Sequence, residues 1–334
     1  MKKSKLAFDK KWEANEKGLL TKSEDYTYIK KLGEGAFGRV VLGKDKKSKK
    51  FFAIKMMRKA DLVAKKQVKQ AYNEKKILFC NDLKFLMYLC YYYKDNSCVY
   101  LVMEFMEGGE MFAHLKRMKR FTETLAQFYA AQVIMGIIYL HSMDLVYRDM
   151  KPENLLIDTK GYVRIADFGF AKKVKGKTWT FCGTPDYMAP EVILNQGVDQ
   201  GVDWWGVGIL IFEMCAGFAP FTTEGESKVY TNIVNGMYSI PYHFSTYAED
   251  IIGKFLLANS STRLGMTHDK ISEISRHPWF IKLNWESIYT QKSISDFIPE
   301  CPSHATIESK KQSIKDLVPH VTTAEEFSEL FTDF

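Results

Sequence analysis

Asp149, Lys151, Asn154 and Asp167 are the residues whose types and spacing most plainly offer chemistry. They supply a carboxylate that can act as a base, a lysine that can neutralise phosphate charge, and an amide and a carboxylate that can bind magnesium. Magnesium takes oxygen ligands and keeps several waters, so these two side chains beside nucleotide phosphates would suffice. All four fall in Y-R-D-M-K-P-E-N-L-L-I-D-T-K-G-Y-V-R-I-A-D-F-G, from Tyr147 to Gly169. The short apolar runs Leu155–Ile157 and Val163–Ala166 read as strands, and Asp158-Thr159-Lys160-Gly161 reverses the chain between them. Such a hairpin brings Asn154 and Asp167 together. A surface hairpin with solvated charges would explain any three of these residues, but it explains the whole string poorly.

Other elements must bring a phosphate donor to this group. Gly33-Glu34-Gly35-Ala36-Phe37-Gly38 is a G-x-G-x-x-G followed by Arg39 and Val40. Dinucleotide-binding folds use the same glycines, but there the third one opens a helix. Here a strand follows, then a turn at 44–50 and a second strand, Phe51-Phe52-Ala53-Ile54-Lys55-Met56. Backbone amides in such a turn can close over phosphates.

The remaining elements read as follows. Leu6, Phe8 and Trp12 predict an apolar seam on a helix over 4–20, ended by Gly18 and docked onto the body. A helix is expected over 65–80, with strands over 86–93 and 99–104. Gly108-Gly109 breaks the chain before a second, helical part. Thr122 predicts an N-cap, and 128–140 a buried helix. From about Asn284 the chain is expected to be extended and polar.

Composition excludes several classes. A hydrophobic content of 46% with 26% charged residues is ordinary for a globular protein. The net charge of +7 is scattered, with no arginine stripe interleaved with aromatics, so nucleic acid is not an expected partner. The six cysteines show no C-x-x-C and no metal spacing, as expected of reduced thiols in a cytoplasmic or nuclear protein. The N-terminus has neither a signal-peptide run nor a myristoylation glycine. The most apolar window, Val202 to Phe221, contains Asp203 and Glu213, which favours a buried helix over membrane insertion.

Tyr147–Gly169 resembles the catalytic loop and D-F-G element of protein kinases. That resemblance implies an α+β, bilobal protein kinase fold, with a five-stranded antiparallel small lobe over a mainly helical large lobe. The implied organisation is an N-terminal helix and linker over 1–27, small lobe 28–104, large lobe 105–281 and C-terminal tail 282–334. It implies ATP and Mg2+ as cofactors. Asp149 would orient the attacking hydroxyl, Lys151 would stabilise the moving phosphoryl group, and Asn154 and Asp167 would hold magnesium. Lys55 would contact the nucleotide phosphates, held by Glu74. The nucleotide would further meet Gly33, Glu34, Gly35, Ala36, Phe37, Gly38, Val40, Ala53, Met103, Glu104 and Met106, with Glu110 and Glu153 at its edge.

The run Lys177-Thr178-Trp179-Thr180-Phe181-Cys182-Gly183-Thr184-Pro185-Asp186-Tyr187-Met188-Ala189-Pro190-Glu191 resembles the activation segment of cyclic-nucleotide-dependent protein kinases. Tyr147-Arg148-Asp149, Gly108-Gly109-Glu110-Met111-Phe112, Asp203-Trp204-Trp205, the Phe8–Glu13 run and the closing Phe331-x-x-Phe334 agree with that group. Carried over, Glu110, Glu153 and Glu213 would read arginines before the phosphoacceptor, and Phe181, Pro185 and Met188 would receive an apolar residue after it. Arg-Arg-x-Ser/Thr-hydrophobic peptides follow as expected substrates, with a cyclic-nucleotide-binding regulatory subunit as partner. Thr180 would be phosphorylated by an activating kinase or by autophosphorylation, and Arg148 and Lys172 would take its phosphate. Glu191 and Arg263 would brace the large lobe. Leu78, Leu89, Tyr147 and Phe168 would form an apolar column.

The chain departs from the group at Gln70, where histidine is usual, and in lacking the tail's Phe-Asp-Asp-Tyr. Thr322 or Thr323 is the candidate tail phosphosite. Two alternatives are another basophilic kinase of the same group, free of cyclic-nucleotide control, and a docking scaffold. The intact Lys55, Asp149, Asn154 and Asp167 argue against the scaffold.

Overall fold

The structure, a computed structural model, describes residues 2–14, 19–35, 38–266, 269–319 and 321–334. Gly18, Ala36 and Phe37, to which roles were assigned above, lie outside the described residues. The chain divides into two compact units. One comprises Gly108–Pro299, and the other joins Lys2–Glu107 to the C-terminal stretch Glu300–Phe334.

The second unit is built on five antiparallel strands in the order β1-β2-β3-β5-β4. They are β1 (Tyr26–Gly35), β2 (Gly38–Asp45), β3 (Phe51–Arg58), β4 (Leu89–Lys94) and β5 (Cys98–Glu104). Side chains alternate between the two faces of a strand, and both faces here are apolar. Val41 joins Tyr28, Ile54, Tyr93 and Tyr100 on one face, while its neighbour Leu42 joins Ile29 and Phe51 on the other. The C-terminal stretch covers both: Leu317 is buried in the first cluster and Ile307 in the second. Between them Gln312 clasps the sheet edge. Its amide donates to the Ile29 carbonyl at 2.7 Å, and its Oε1 accepts from the Lys31 amide at 2.9 Å.

Several elements differ from the sequence expectations. The first helix, α1, runs Lys2–Glu13. Phe8 is buried and stacks on Trp12 at 5.6 Å, one turn on, but Leu6 is 66% exposed. At 100° per residue, Leu6 and Phe8 cannot share one face. The helix expected over 65–80 is α3 (Val68–Cys80), packed on α1, and a separate short helix, α2 (Lys59–Ala64), precedes it. The left-handed backbone of Lys66 separates them. Strand β4 begins at Leu89, because Asn81 ties down the preceding segment by donating to the Leu86 and Met87 carbonyls. After Asn284 short helices recur, at Trp285–Tyr289, His304–Ser309 and Ile314–Leu317. Phe331 and Phe334 are buried and pack around Tyr72, with the Lys75 ammonium 4.9 Å from the Phe334 ring.

The unit Gly108–Pro299 is mainly helical. Helix α4 spans Met111–Met118 and α5 spans Glu123–Ser142, with Thr122 accepting from the Leu125 amide as its N-cap. The helix Gly201–Ala216 is buried along nearly its whole length. Gly217 ends it in the left-handed region (φ 88°), where a Cβ would lie 1.9 Å from the Lys119 carbonyl oxygen. Two short ribbons complete the unit: β6 (Leu145–Val146) with β9 (Lys172–Lys173), and β7 (Leu155–Ile157) with β8 (Val163–Ile165). Arg263, fully buried, donates to both carboxylate oxygens of Glu191. Among the described residues no helix is long and apolar enough to cross a membrane.

Candidate active site

In the sheet unit, pairing register aligns the residues assigned to the nucleotide. Val40 faces Lys55 across β2 and β3, and Ala53 faces Met103 across β3 and β5. Lys55 Nζ lies 2.7 Å from Glu74 Oε1 on α3, and both residues are almost fully buried. An ammonium and a carboxylate buried together hold each other charged, and removing one would strand the other. Gly38 has φ 138°, and a Cβ there would meet the Met56 carbonyl at 2.2 Å, so only glycine lets β2 begin this close to β3. Gly33 and Gly35 lie in β1 opposite Val40 and Gly38, each with open space where a Cβ would stand, and Glu34 pairs with Lys31 and Arg39. Met106 is buried, and Glu104 accepts from the Tyr88 hydroxyl.

In the helical unit, Asp203 organises the loop that carries Asp149. Its carboxylate accepts from the Tyr147 amide (2.9 Å), the Arg148 amide (2.8 Å) and His141 Nε2 (2.8 Å). Arg148 and Asp167 both occupy positive φ, 68° and 52°, a strain that persists only where surrounding contacts over-determine it. Asp149 follows directly and is buried. It accepts from Asn154 Nδ2 (2.7 Å), while Lys151 Nζ lies 3.1 Å away and the Thr184 hydroxyl 3.4 Å. The Asn154 amide group also donates to the Asp149 carbonyl, so its NH2 is spent on the loop and its Oδ1 is the atom suited to a cation. The hairpin brings the second oxygen donor near, since the Ala166 amide donates to the Asn154 carbonyl at 2.8 Å. Asp167 accepts from the Gly169 amide. A carboxylate and an amide oxygen, without thiol or imidazole, suit a hard cation such as magnesium. Tyr147 donates to the Ala166 carbonyl and meets Phe168 edge-on at 5.8 Å. Burial pushes its hydroxyl well above the usual range.

The three carboxylates assigned to substrate arginines interact. Glu213 is buried and accepts from the Tyr187 hydroxyl. Burial first, then the Glu153 and Asp186 charges, push its carboxyl up to about 7 against the Tyr187 hydrogen bond. Glu110 keeps an open face, yet partial desolvation and the Glu153 charge raise it too. Glu153 itself is exposed. Of the apolar trio, Met188 is buried, Pro185 half-buried and Phe181 62% exposed.

Thr180 is exposed and borders one small cavity with Arg148. Arg148 spends Nε and Nη2 on the Phe170 carbonyl, and its buried Nη1 has no partner among the described residues. Lys172 donates to the buried Thr178 hydroxyl at 2.8 Å, not to Thr180. Cys182 is half-buried and burial raises its thiol, which favours packing over reactivity. Leu78 and Leu89 are buried in the sheet unit, and Tyr147 and Phe168 in the helical one. Gln70 Oε1 is buried without a hydrogen bond among the described residues. Thr322 shares a hydrogen bond with Ser97 and donates to the Ala324 carbonyl.

Sequence reasoning gave no role to Asp203, Thr184 or Tyr187. For Asp203 a signal existed: a charge in the first turn of the most apolar helix needs buried donors. Tyr187 and Thr184 gave none, because their partners lie far away in the chain.

The protein kinase domain family model matches residues 26–280. Among relatives, the chain is 41% identical to the human cAMP-dependent protein kinase catalytic subunit PRKX, over 83% of this chain and 77% of the relative. It is 39% identical to the cAMP-dependent protein kinase catalytic subunit of Arthrobotrys oligospora and 37% identical to that of Dictyostelium discoideum, each over 93% of this chain. The chain spans 60% and 49% of those two relatives' lengths. With the antiparallel five-stranded sheet, the helical unit and the Asp149–Asp167 loop, these matches show that the chain belongs to the protein kinase family.

Proposed function

We propose that the protein transfers the γ-phosphoryl group of ATP to serine or threonine in Arg-Arg-x-Ser/Thr-hydrophobic sequences. The observation that carries this reading is the placement of Glu153 where its charge acts on both Glu110 and Glu213, in the unit that holds Asp149. Such a cluster is unfavourable alone and is relieved by a cationic ligand. Each charged hydrogen bond to a substrate arginine would contribute about 1.5–3 kcal/mol, or roughly tenfold to over a hundredfold in selectivity.

In this reading Asp149 accepts a hydrogen bond from the substrate hydroxyl and takes its proton late, Lys151 steadies the moving phosphoryl group, and Lys55, held by Glu74, engages the phosphates. Asn154 and Asp167 would hold magnesium, which when bound supplies charge neutralisation at the phosphates. The partner we infer is a cyclic-nucleotide-binding regulatory subunit presenting a basic segment. The test is a peptide series with purified chain: equal turnover of Arg-Arg-Ala-Ser-Leu and its arginine-to-alanine versions would overturn the substrate reading. Inhibition by a regulatory subunit, relieved by cAMP, is expected. Failure to bind the subunit would favour a basophilic kinase under other control.

Two further results are expected. Because the raised Glu213 carboxyl is neutral below pH about 7, the KM for the arginine peptide should rise as pH falls below that value. The limiting slope is about tenfold per unit. Glu213→Gln should flatten that profile and raise KM throughout; an unchanged profile in the variant would assign the titration elsewhere. Phosphate on Thr180 would add roughly −1.5 to −2 charges beside Arg148 Nη1, which has no partner among the described residues. Phosphorylation should therefore raise parent activity by at least about tenfold and leave Arg148→Ala unaffected, as comparison of phosphatase-treated and untreated enzymes would reveal.

A further inference from the structure

Lys310-Lys311-Gln312-Ser313-Ile314 places two cations, one spacer, a hydroxyl and an apolar residue in the order of the proposed substrate pattern. We propose that Ser313 is a phosphorylation site that this kinase modifies on its own C-terminal stretch; the proposal rests on the substrate reading above. The carboxylates that would read arginine would read Lys310 and Lys311, and Ile314 would occupy the apolar position after the acceptor. Lysine lacks the planar fork of arginine, so Ser313 should be a slower acceptor than an arginine peptide.

The local structure favours access. Lys310, Lys311, Gln312 and Ser313 are exposed, and Ile314 is 59% exposed. The Ser313 hydroxyl neither caps the short helix that follows nor makes another hydrogen bond among the described residues. Thr122 is the other hydroxyl with basic residues two and three positions before it, in Lys119-Arg120-Phe121-Thr122-Glu123. It fails on both counts: its side chain caps α5, and an acidic residue follows it.

The segment is anchored on each side, by Ile307 on one face of the sheet and Leu317 on the other. Between these anchors its hold on the strand is the clasp of Gln312 on Ile29 and Lys31. Polar side chains pin the flanks, with Glu308 on Lys44 and Arg39 on the Asp316 carbonyl. An acceptor must present its backbone to the catalytic loop, of the same or a second copy of the chain, so the clasp has to open. Opening of this kind is a local event. Ser313 Oγ then attacks the γ-phosphorus of ATP, the bond from that phosphorus to the bridging oxygen breaks, ADP leaves, and the hydroxyl proton passes to Asp149 and on to solvent.

The experiment treats the full chain with phosphatase, removes the phosphatase, adds ATP and magnesium, and follows site occupancy by mass spectrometry. Arg-Arg-Ala-Ser-Leu is run in parallel. Phosphate should accumulate on Ser313, about fivefold faster in Gln312→Ala, which loses one clasp bond and leaves the recognised positions intact. It should accumulate at least about tenfold more slowly in Lys310→Ala/Lys311→Ala. Ser313→Ala should keep peptide kinase activity. A bare Ser313 in both the parent and Gln312→Ala, with the arginine peptide turned over, would overturn the proposal and leave the substrate reading standing. So would unchanged labelling of Ser313 in the double lysine variant. If the arginine peptide itself is not phosphorylated, the substrate reading fails and the Ser313 assignment falls with it.

Discussion

Asp149→Asn should lower kcat for peptide phosphorylation by about 10²–10⁴-fold, the usual worth of a positioned proton acceptor. The substitution keeps the volume, and its amide oxygen can still accept from Asn154 Nδ2. It removes the negative charge and one acceptor, the two properties needed to align a hydroxyl and receive its proton. Folding and nucleotide binding should survive, because Asp203, not Asp149, holds the loop backbone. Single-turnover measurement with bound ATP isolates the chemical step. A variant that transfers phosphate at the parent rate would remove Asp149 from the reaction.

Glu191→Ala should destabilise the helical unit by about 3–5 kcal/mol, because it strands the fully buried Arg263 guanidinium. Arg263 also donates to the carbonyls of Gly201, Leu257 and Ala258, and these neutral acceptors cannot replace a carboxylate. For a unit of this size each kcal/mol shifts the midpoint by about 2–4 °C, so thermal unfolding should fall by roughly 10 °C. Losing only about 1 kcal/mol would mean that water or a neighbouring acidic group reaches the guanidinium. Since Gly201 opens the helix that carries Asp203, activity should decline at temperatures where parent protein is still fully active.

The catalytic hairpin was legible because its signals are local. Turn residues, short apolar runs and a fixed spacing place Asn154 just before and Asp167 just after a pair of strands, with little help from elsewhere. Phe8 and Trp12 were equally legible as a pair one helical turn apart. Leu6, two residues before Phe8, faces away from it round the helix, so its hydrophobicity alone does not place it. The extended reading after Asn284 failed for a related reason: short helices such as His304–Ser309 and Ile314–Leu317 are held by Ile307 and Leu317 in the sheet's two clusters. An isolated helix of that length is unstable in water, so its own residues announce it weakly.

Sequence alone nominated the groups proposed to react: Asp149, Lys151, Asn154 and Asp167, the glycine-rich stretch, and the lysine and glutamate that β3 and α3 bring into contact. Their chemistry resides in residue type, and their spacing in short segments. Tertiary structure decided what surrounds each of them. Asp203 gathers three donors across more than fifty residues. Burial beside Tyr187 and Glu153 raises the Glu213 carboxyl toward neutrality. Gln312 closes on a strand nearly the whole chain away. Desolvation and long-range hydrogen bonding depend on which distant segments exclude water from a group, and no local stretch of sequence contains that information.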